Sequence, residues 1–330
     1  MKAIRVDAFG PPAEVVRFLE APEPETPREG EVTVSVEASP INPSDLLVLS
    51  GLYGALPRLP TFPGKEGVGR VLRVGPGTPV FPVGTRVLLP LGAGAWRERL
   101  NVRESELLLA PESMDPKKLA MATLNPLCAW SLLDAIVSLE PGDWIAQNAA
   151  GSALGRWIIA LAKARGIKTV NIVRRDKQID VLRSLGGNVV LVDGPELGKR
   201  IMAATRGAQI KLGLDAVAGA ATTRLASCLG RGGTIVSFGM LSGEPGHIAT
   251  NDLMFRDIKL RGFWLSSHLA TMPRETTAEI LSRTMELVAT SVVEIPVEAT
   301  YTLDRIKDAV AHAQREGRSG KILLTPGSAS

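Results

Sequence analysis

From about residue 121 the chain alternates short, continuously apolar runs with amphipathic stretches, an order that few folds accommodate. Strands are expected at 144–148, 169–173, 188–192, 212–217, 234–238 and 258–263, and helices at 128–139, 154–165, 176–185 and 220–229. Within 154–165, Leu154, Trp157, Ile158, Leu161 and Ala162 recur at the spacing of one helix face. Strands that are apolar throughout belong to a sheet covered on both faces, and strict alternation with helices makes such a sheet parallel. The expectation for 121–267 is a doubly wound parallel sheet of the Rossmann kind, within an α/β protein.

The preceding 120 residues differ in character. Short strands are expected at 2–9, 15–19, 31–38, 67–74 and 86–89, punctuated by PEPETPREG, PINPSD, LPRLPTFPG and GPGTP. Many short strands with turn signals between them predict a β-rich, barrel-like domain. After 267 the pattern offers helices at 274–289 and 304–315 and a strand at 321–324, which do not continue the parallel sheet. They are expected to return to the first domain, so that 1–120 is completed by 268–330.

Composition removes several classes of function. At 45% hydrophobic and 22% charged residues the chain is not disordered. No run approaches the ~18 apolar residues of a membrane-spanning helix. The 38 basic and 34 acidic residues are interspersed, so neither a nucleic-acid partner nor a membrane partner is expected. The opening MKAIRVDAFGPP lacks the apolar core of an export signal and reads as a strand. With only Cys128 and Cys228, the expectation is a cytoplasmic protein with reduced thiols, Cys128 being a packed small residue. His247, His268 and His312 are not spaced as metal ligands.

The segment DWIAQNAAGSALGRWIIALA is strand, small-residue turn, helix, the context of a dinucleotide fingerprint. Its three key positions hold Ala150, Ser152 and Gly155 instead of three glycines, which leaves open a cofactor turn or merely tight strand–helix packing. The next strand, TVNIVRRD, ends in Arg174 and Arg175, about 20 residues further on, where an acidic residue selects NAD. Arginine instead pairs with a 2′-phosphate, so NADP(H) is the expected cofactor.

A β-rich domain, a Rossmann domain and a return segment together resemble the medium-chain dehydrogenase/reductase superfamily, whose first domain is GroES-like. Zinc-using members carry Cys and His where this chain has Asn42, in PINPSDL, and Lys65, in GKEGVG, so the resemblance implies a zinc-independent member with no metal site. Lys65 itself reads as a surface-loop lysine. The runs INPSDLLVLSGLYGALPRLPTFPGKEGVGRV, ATLNPLCAW, RGGTIVSFGM, KLRGFWLS and SGKILLT resemble the mitochondrial-type 2-enoyl thioester reductases across most of the chain.

That resemblance implies roles residue by residue. Tyr53 is the catalytic donor and Asn125 lies near the nicotinamide. Ala150, Gly151, Ser152 and Ala153 form the pyrophosphate turn, and Arg174 and Arg175 the 2′-phosphate segment. Phe238, Gly239, Met240 and Leu241, with Phe263, Trp264, Leu265 and Ser266, face the cofactor, which Lys321 also reaches. Trp264 either walls an acyl pocket or fills core, and Asn42 and Asp45 shape a loop beside the nicotinamide or are ordinary turn formers.

The implied reaction is NADPH-dependent reduction of the C=C bond of an enoyl thioester, carried on coenzyme A or on an acyl carrier protein, by a homodimer paired through the edge strand at 258–263. The alternatives are a quinone oxidoreductase, a reductase of other activated enones, or a non-catalytic NADPH-binding protein.

Overall fold

The computed structural model describes residues 1–78, 80–290 and 292–326. The chain divides into two compact units, one of Met1–Leu124, Leu281–Thr290 and Ile295–Ser330, the other of Asn125–Ile280 and Ser291–Glu294.

The first unit opens with β1 (Lys2–Val6), α1 (Pro12–Val15) and β2 (Val16–Glu20), β1 and β2 pairing antiparallel with Lys2 opposite Glu20. There follow β3 (Glu31–Pro40), α2 (Pro43–Leu49), β4 (Val68–Val74), β5 (Arg86–Leu88), β6 (Arg99–Arg103), β7 (Leu108–Leu109) and α3 (Pro116–Leu119). β3 pairs antiparallel with both β4 and β6. Val32, Val34, Val36, Val71, Val87 and Leu100 form a closed apolar cluster between the strands. Fully burying side chains of this kind contributes about 1.5–3 kcal/mol each.

The second unit holds α4 (Leu124–Asp134) from its second residue on, β8 (Trp144–Gln147), α5 (Ala153–Ala164), β9 (Lys168–Val173), α6 (Ile179–Leu185), β10 (Val189–Val192) and α7 (Leu197–Thr205). It continues with β11 (Ile210–Asp215), α8 (Ala220–Ser227), β12 (Thr234–Ser237), α9 (Thr250–Arg256), β13 (Lys259–Gly262) and α10 (Leu265–Leu269). The helix α11 (Arg274–Ala289) has residues in both units. The sheet order is β10-β9-β8-β11-β12-β13, with every pairing parallel. The order reverses between β8 and β11, the topological switch point outside which doubly wound sheets bind ligands.

The return segment supplies β14 (Val297–Tyr301), α12 (Ile306–Gln314) and β15 (Lys321–Leu324). β15 lies parallel to β14 and antiparallel to the end of β3, with Leu323 opposite Pro40 and Leu324 opposite Ser39. α12 buries Ile306, Ala309, Val310 and Ala313 against Ile322, Leu324, Ile4 and Trp96.

The expected fold class is the one found, with local departures. α4 starts at Leu124 rather than 128, because the Glu66 carboxylate accepts the Leu124 amide (2.8 Å) and caps the opening turn. PINPSD contains the start of α2, not only a turn. Pro43 takes the first helical position, where its missing N–H costs nothing, and the Asp45 carboxylate reaches back to the Asn42 amide at 2.8 Å. β6, α7 and α9 have no counterpart in the sequence reading. Among the described residues no helix is long and apolar enough to cross a membrane.

Candidate functional site

In the second unit the carboxyl ends of the parallel strands carry most of the residues that the sequence points to. After β8 the chain turns through Ala149 at φ +48°, and the fully buried Ala150 donates its N–H to the Ile172 carbonyl (3.1 Å). Ser152 caps α5, its hydroxyl accepting the Gly155 amide at 3.1 Å. A Cβ on Gly155 would stand 2.5 Å from the Ala150 carbonyl oxygen, so only glycine lets the helix come this close to the turn. The outcome is a small-residue turn leading into the positive end of a twelve-residue helix, an arrangement that suits a phosphate.

Arg174 and Arg175 follow β9 directly and are exposed. Beyond β12, the Phe238 amide donates to the Asp215 carbonyl (3.0 Å) and the Leu241 amide to the Ala216 carbonyl (3.2 Å). Gly239 passes close enough that a Cβ would lie 2.6 Å from the Ala216 oxygen, while Met240 and Leu241 are exposed. Beyond β13, the Phe263 amide donates to the Ser237 carbonyl (2.9 Å) and its ring lies 5.5 Å from that of His268. Trp264 and Ser266 are exposed, and Leu265 opens α10. One edge of one sheet therefore gathers 150–153, 174–175, 238–241 and 263–266. Asn125 lies apart from this edge in sequence, in the first turn of α4, buried with its side-chain Nδ2 lacking a hydrogen-bond partner. Such an orphaned donor suits an acceptor on a bound molecule.

Sequence reasoning missed the residue that holds this edge in shape. Asp215, fully buried at the end of β11, accepts from Asn148 Nδ2 (2.6 Å), from the amides of Val217 and Ala218 (both 3.0 Å) and from the Thr222 hydroxyl (2.5 Å). Asn148 in turn accepts the Ala216 amide at 2.8 Å, tying the turns after β8 and β11 across the switch point. The signal was available: an Asp closing an apolar strand and followed by small residues, in LGLDAVAGAA.

The first unit holds Tyr53 and Lys321. Tyr53 is half-buried in the turn after α2, and the Lys65 ammonium sits 3.7 Å from its ring centroid. Lys65 is thus not a plain surface-loop lysine. Its amide donates to Asp45 Oδ1 (3.1 Å) and its carbonyl accepts the Gly92 amide (2.7 Å). Gly64 precedes it at φ +108°, with the Ala95 and Trp96 amides only 2.8 Å from where a Cβ would be.

Behind this turn lies a buried charged cluster. Asn42 donates to Glu66 Oε1 at 3.0 Å and accepts from the Lys321 ammonium. Glu66 Oε2 accepts the Leu124 and Thr123 amides. Asp45, Glu66 and Lys321 are all buried. Burial pushes the Asp45 carboxyl up to about 6, against the pull of the Asn42 amide and the Lys65 charge. Burial likewise raises Glu66 and lowers Lys321, each opposed by the other's charge. Glu66 lies next to Lys65 in GKEG but was not singled out, because nothing in a local window says that it is buried.

These side chains do not suit a zinc ion. Asn42 is committed to Glu66 and Lys321, so a cation, the Lys321 ammonium, already stands against it. Burial pushes the Cys128 thiol up to about 12, which marks it as a packed side chain and not a reactive one. Among the described residues no group of three His, Cys, Asp or Glu is placed to hold a metal.

Comparison with known proteins agrees with this architecture. Residues 28–112 match the alcohol dehydrogenase GroES-like domain, and residues 153–285 match the zinc-binding dehydrogenase family. The mitochondrial enoyl-acyl-carrier-protein reductase of Bos taurus is 35% identical over 332 residues, covering 98% of this chain and 88% of the relative. A Bacillus thuringiensis protein provisionally named an NADPH:quinone reductase superposes with a TM-score of 0.90 at 29% identity, covering 98% of each chain. Etr1p in complex with NADP and crotonyl-CoA superposes at 0.88 over 98% of this chain and 99% of its own, and at 23% identity it speaks for the fold alone. These matches, over nearly the whole chain, make the protein a member of the medium-chain dehydrogenase/reductase superfamily, an oxidoreductase of its enoyl-reductase-like branch.

Proposed function

We propose that this enzyme uses NADPH to reduce the C=C bond of 2-enoyl thioesters, with Tyr53 as hydrogen-bond and proton donor. The observation that carries the reading is Tyr53 itself, a phenol in the bend that follows the capped α2, in a chain matched over 98% of its length by an enoyl reductase. When bound, NADPH supplies a hydride to the β-carbon. The turn at Ala150, Gly151, Ser152 and Ala153 and the first amides of α5 hold the pyrophosphate, and Arg174, assisted by Arg175, pairs with the 2′-phosphate. Asn125 Nδ2 donates to the nicotinamide end, and Phe238–Leu241 with Phe263–Ser266 lie along the cofactor. Lys321, which the resemblance assigns to the cofactor site, acts there through Asn42, on which its ammonium is spent.

Negative charge develops on the thioester oxygen as an enolate. The Tyr53 hydroxyl donates a hydrogen bond to that oxygen and gives its proton to the α-carbon, and solvent then reprotonates the phenolate. Overall, an enoyl thioester, NADPH and one proton yield the saturated thioester and NADP⁺. An acyl carrier protein or coenzyme A carries the substrate. The exposed edge strand β13, which carries the exposed Leu260 and follows the exposed Met254 and Phe255, pairs with its two-fold mate in a homodimer, which predicts an elution mass of twice 35.1 kDa.

A quinone is the second acceptor class, favoured by the likeness at 29% identity to the Bacillus protein. NADPH consumption with crotonyl-CoA, a long-chain 2-enoyl-CoA and 1,4-benzoquinone separates the two readings. Tyr53→Phe is expected to cut enoyl-CoA turnover by well over tenfold, about 1.4 kcal/mol or more of barrier, while NADPH affinity survives. Turnover with benzoquinone alone, indifferent to Tyr53, would instead establish the quinone reading.

A further inference from the structure

The Lys65 ammonium lies against the Tyr53 ring face, at 3.7 Å from the centroid. Two features make this placement a built one. The Lys65 backbone is pinned on both sides, by Asp45 and by the Gly92 amide, and it follows a glycine that no other residue could replace without displacing the Ala95–Trp96 backbone. Among the described residues the ammonium also makes no direct ion pair: the opposite charge that acts on it is the buried Asp45, whose oxygens are hydrogen-bonded to the Asn42 and Lys65 backbone amides. The other charges of this region are Asp45 on α2, Glu66 beside Lys65, and Lys321 on β15, and they are hydrogen-bonded within the buried cluster.

We propose that Lys65 is a charge-bearing positioning residue for Tyr53: its ammonium fixes the ring and stabilises the phenolate left after the proton has gone to the substrate α-carbon. A cation against an aromatic face is attractive in the neutral state. Once the O–H bond has broken and its electron pair stays on the phenolate oxygen, the attraction becomes that of opposite charges a few ångströms apart, which favours the ionised form. The ammonium gives up no proton in this step. Solvent restores the phenol afterwards. This role rests on the proposed reduction for its consequence in turnover, but the electrostatic relation between the two side chains exists without substrate.

The chain has only two tyrosines, Tyr53 and Tyr301, so a Tyr301→Phe background leaves a single phenol to titrate by its phenolate absorbance. In that background Lys65→Met, which keeps the aliphatic stem and removes the charge, is expected to move the phenolate midpoint upward, whereas Lys65→Arg leaves it near that of the parent. With crotonyl-CoA, Lys65→Met is expected to lower kcat about tenfold with KM for NADPH unchanged, and to cost nothing further in Tyr53→Phe. An unmoved midpoint overturns the proposal, and so does an equal loss of kcat in the presence and absence of Tyr53. Should Lys65→Met fail to fold, Lys65→Gln against Lys65→Arg reads the same contrast. If the parent reduces no enoyl thioester but the midpoint still moves, the reaction assignment fails and the charge relation stands. An unmoved midpoint in an active reductase does the reverse.

Discussion

In the first unit two carboxylates, Asp45 and Glu66, share a buried cluster with the Lys321 ammonium, whereas in the second the buried Asp215 is ringed by one amide, one hydroxyl and two backbone N–H groups, none of them charged. Both arrangements satisfy their carboxylates. They differ in what they depend on. A cluster that sets buried ions against each other fails when its one cation is removed, since the carboxylates are then stranded away from water. A carboxylate held by local dipoles depends on the shape of one loop. The first solution fixes segments distant in sequence, and the second stiffens a turn from which a cofactor can be held.

The sharpest way to break this contrast is Lys321→Met, which strands Glu66. It is expected to cost about 3–5 kcal/mol in urea unfolding, with much of the loss recovered on adding Glu66→Gln. A loss under about 1 kcal/mol would mean that the Lys321 charge does not offset Glu66. The pH dependence gives the next largest effect. Asp45 is raised in the folded protein from 3.8 to about 6, so the folded state binds the extra proton between those values. Its contribution to stability is full below about pH 4 and is lost as pH rises through about 6, at most ~3 kcal/mol. The difference between parent and Asp45→Asn unfolding free energies, followed across that window, should show this slope, and a flat difference would refute it.

Asp215→Asn puts an amide donor among four donors and should cost about 1–3 kcal/mol by the same assay, with Asn148→Ala partly masking the effect. A neutral result would show that the loop is held by other contacts. The smallest expected change in stability is at the rim. If Arg174 pairs with the 2′-phosphate as proposed, Arg174→Ala should leave unfolding within about 0.5 kcal/mol while raising KM for NADPH roughly tenfold and sparing NADH.

Where structure follows from local pattern, the sequence was a good guide. Five of the expected runs became largely buried parallel strands, whereas the sixth, β13 in KLRG, is an exposed edge; the expected limits 274–289 and 321–324 are those of α11 and β15. The small-residue turn and the two arginines were recognisable because a fingerprint is contiguous. What stayed hidden depends on separation. Asn42 and Lys321 meet across 279 positions, and no window shows that a lysine opening a strand will be buried beside a glutamate. α2 was concealed by Pro43 within a turn-like PINPSD, and α7, in LGKRIMAAT, by a buried face of Leu197, Ile201 and Thr205 that carries only two large apolar residues. The Lys65–Tyr53 contact needed the Gly64 turn to be seen in three dimensions.

The pairing of β15 with the Ser39–Pro40 end of β3 has a consequence for biosynthesis. The six parallel strands occupy one uninterrupted stretch, so their sheet can form without waiting for the return segment. The unit that starts first must wait for Leu324. A nascent chain therefore passes through an interval in which the older half has an open sheet edge and an unneutralised Glu66, while the younger half is already folded. Translation stalled in that interval would yield a species with an intact dinucleotide fold and an aggregation-prone partner, the form that a chaperone would be called on to shield.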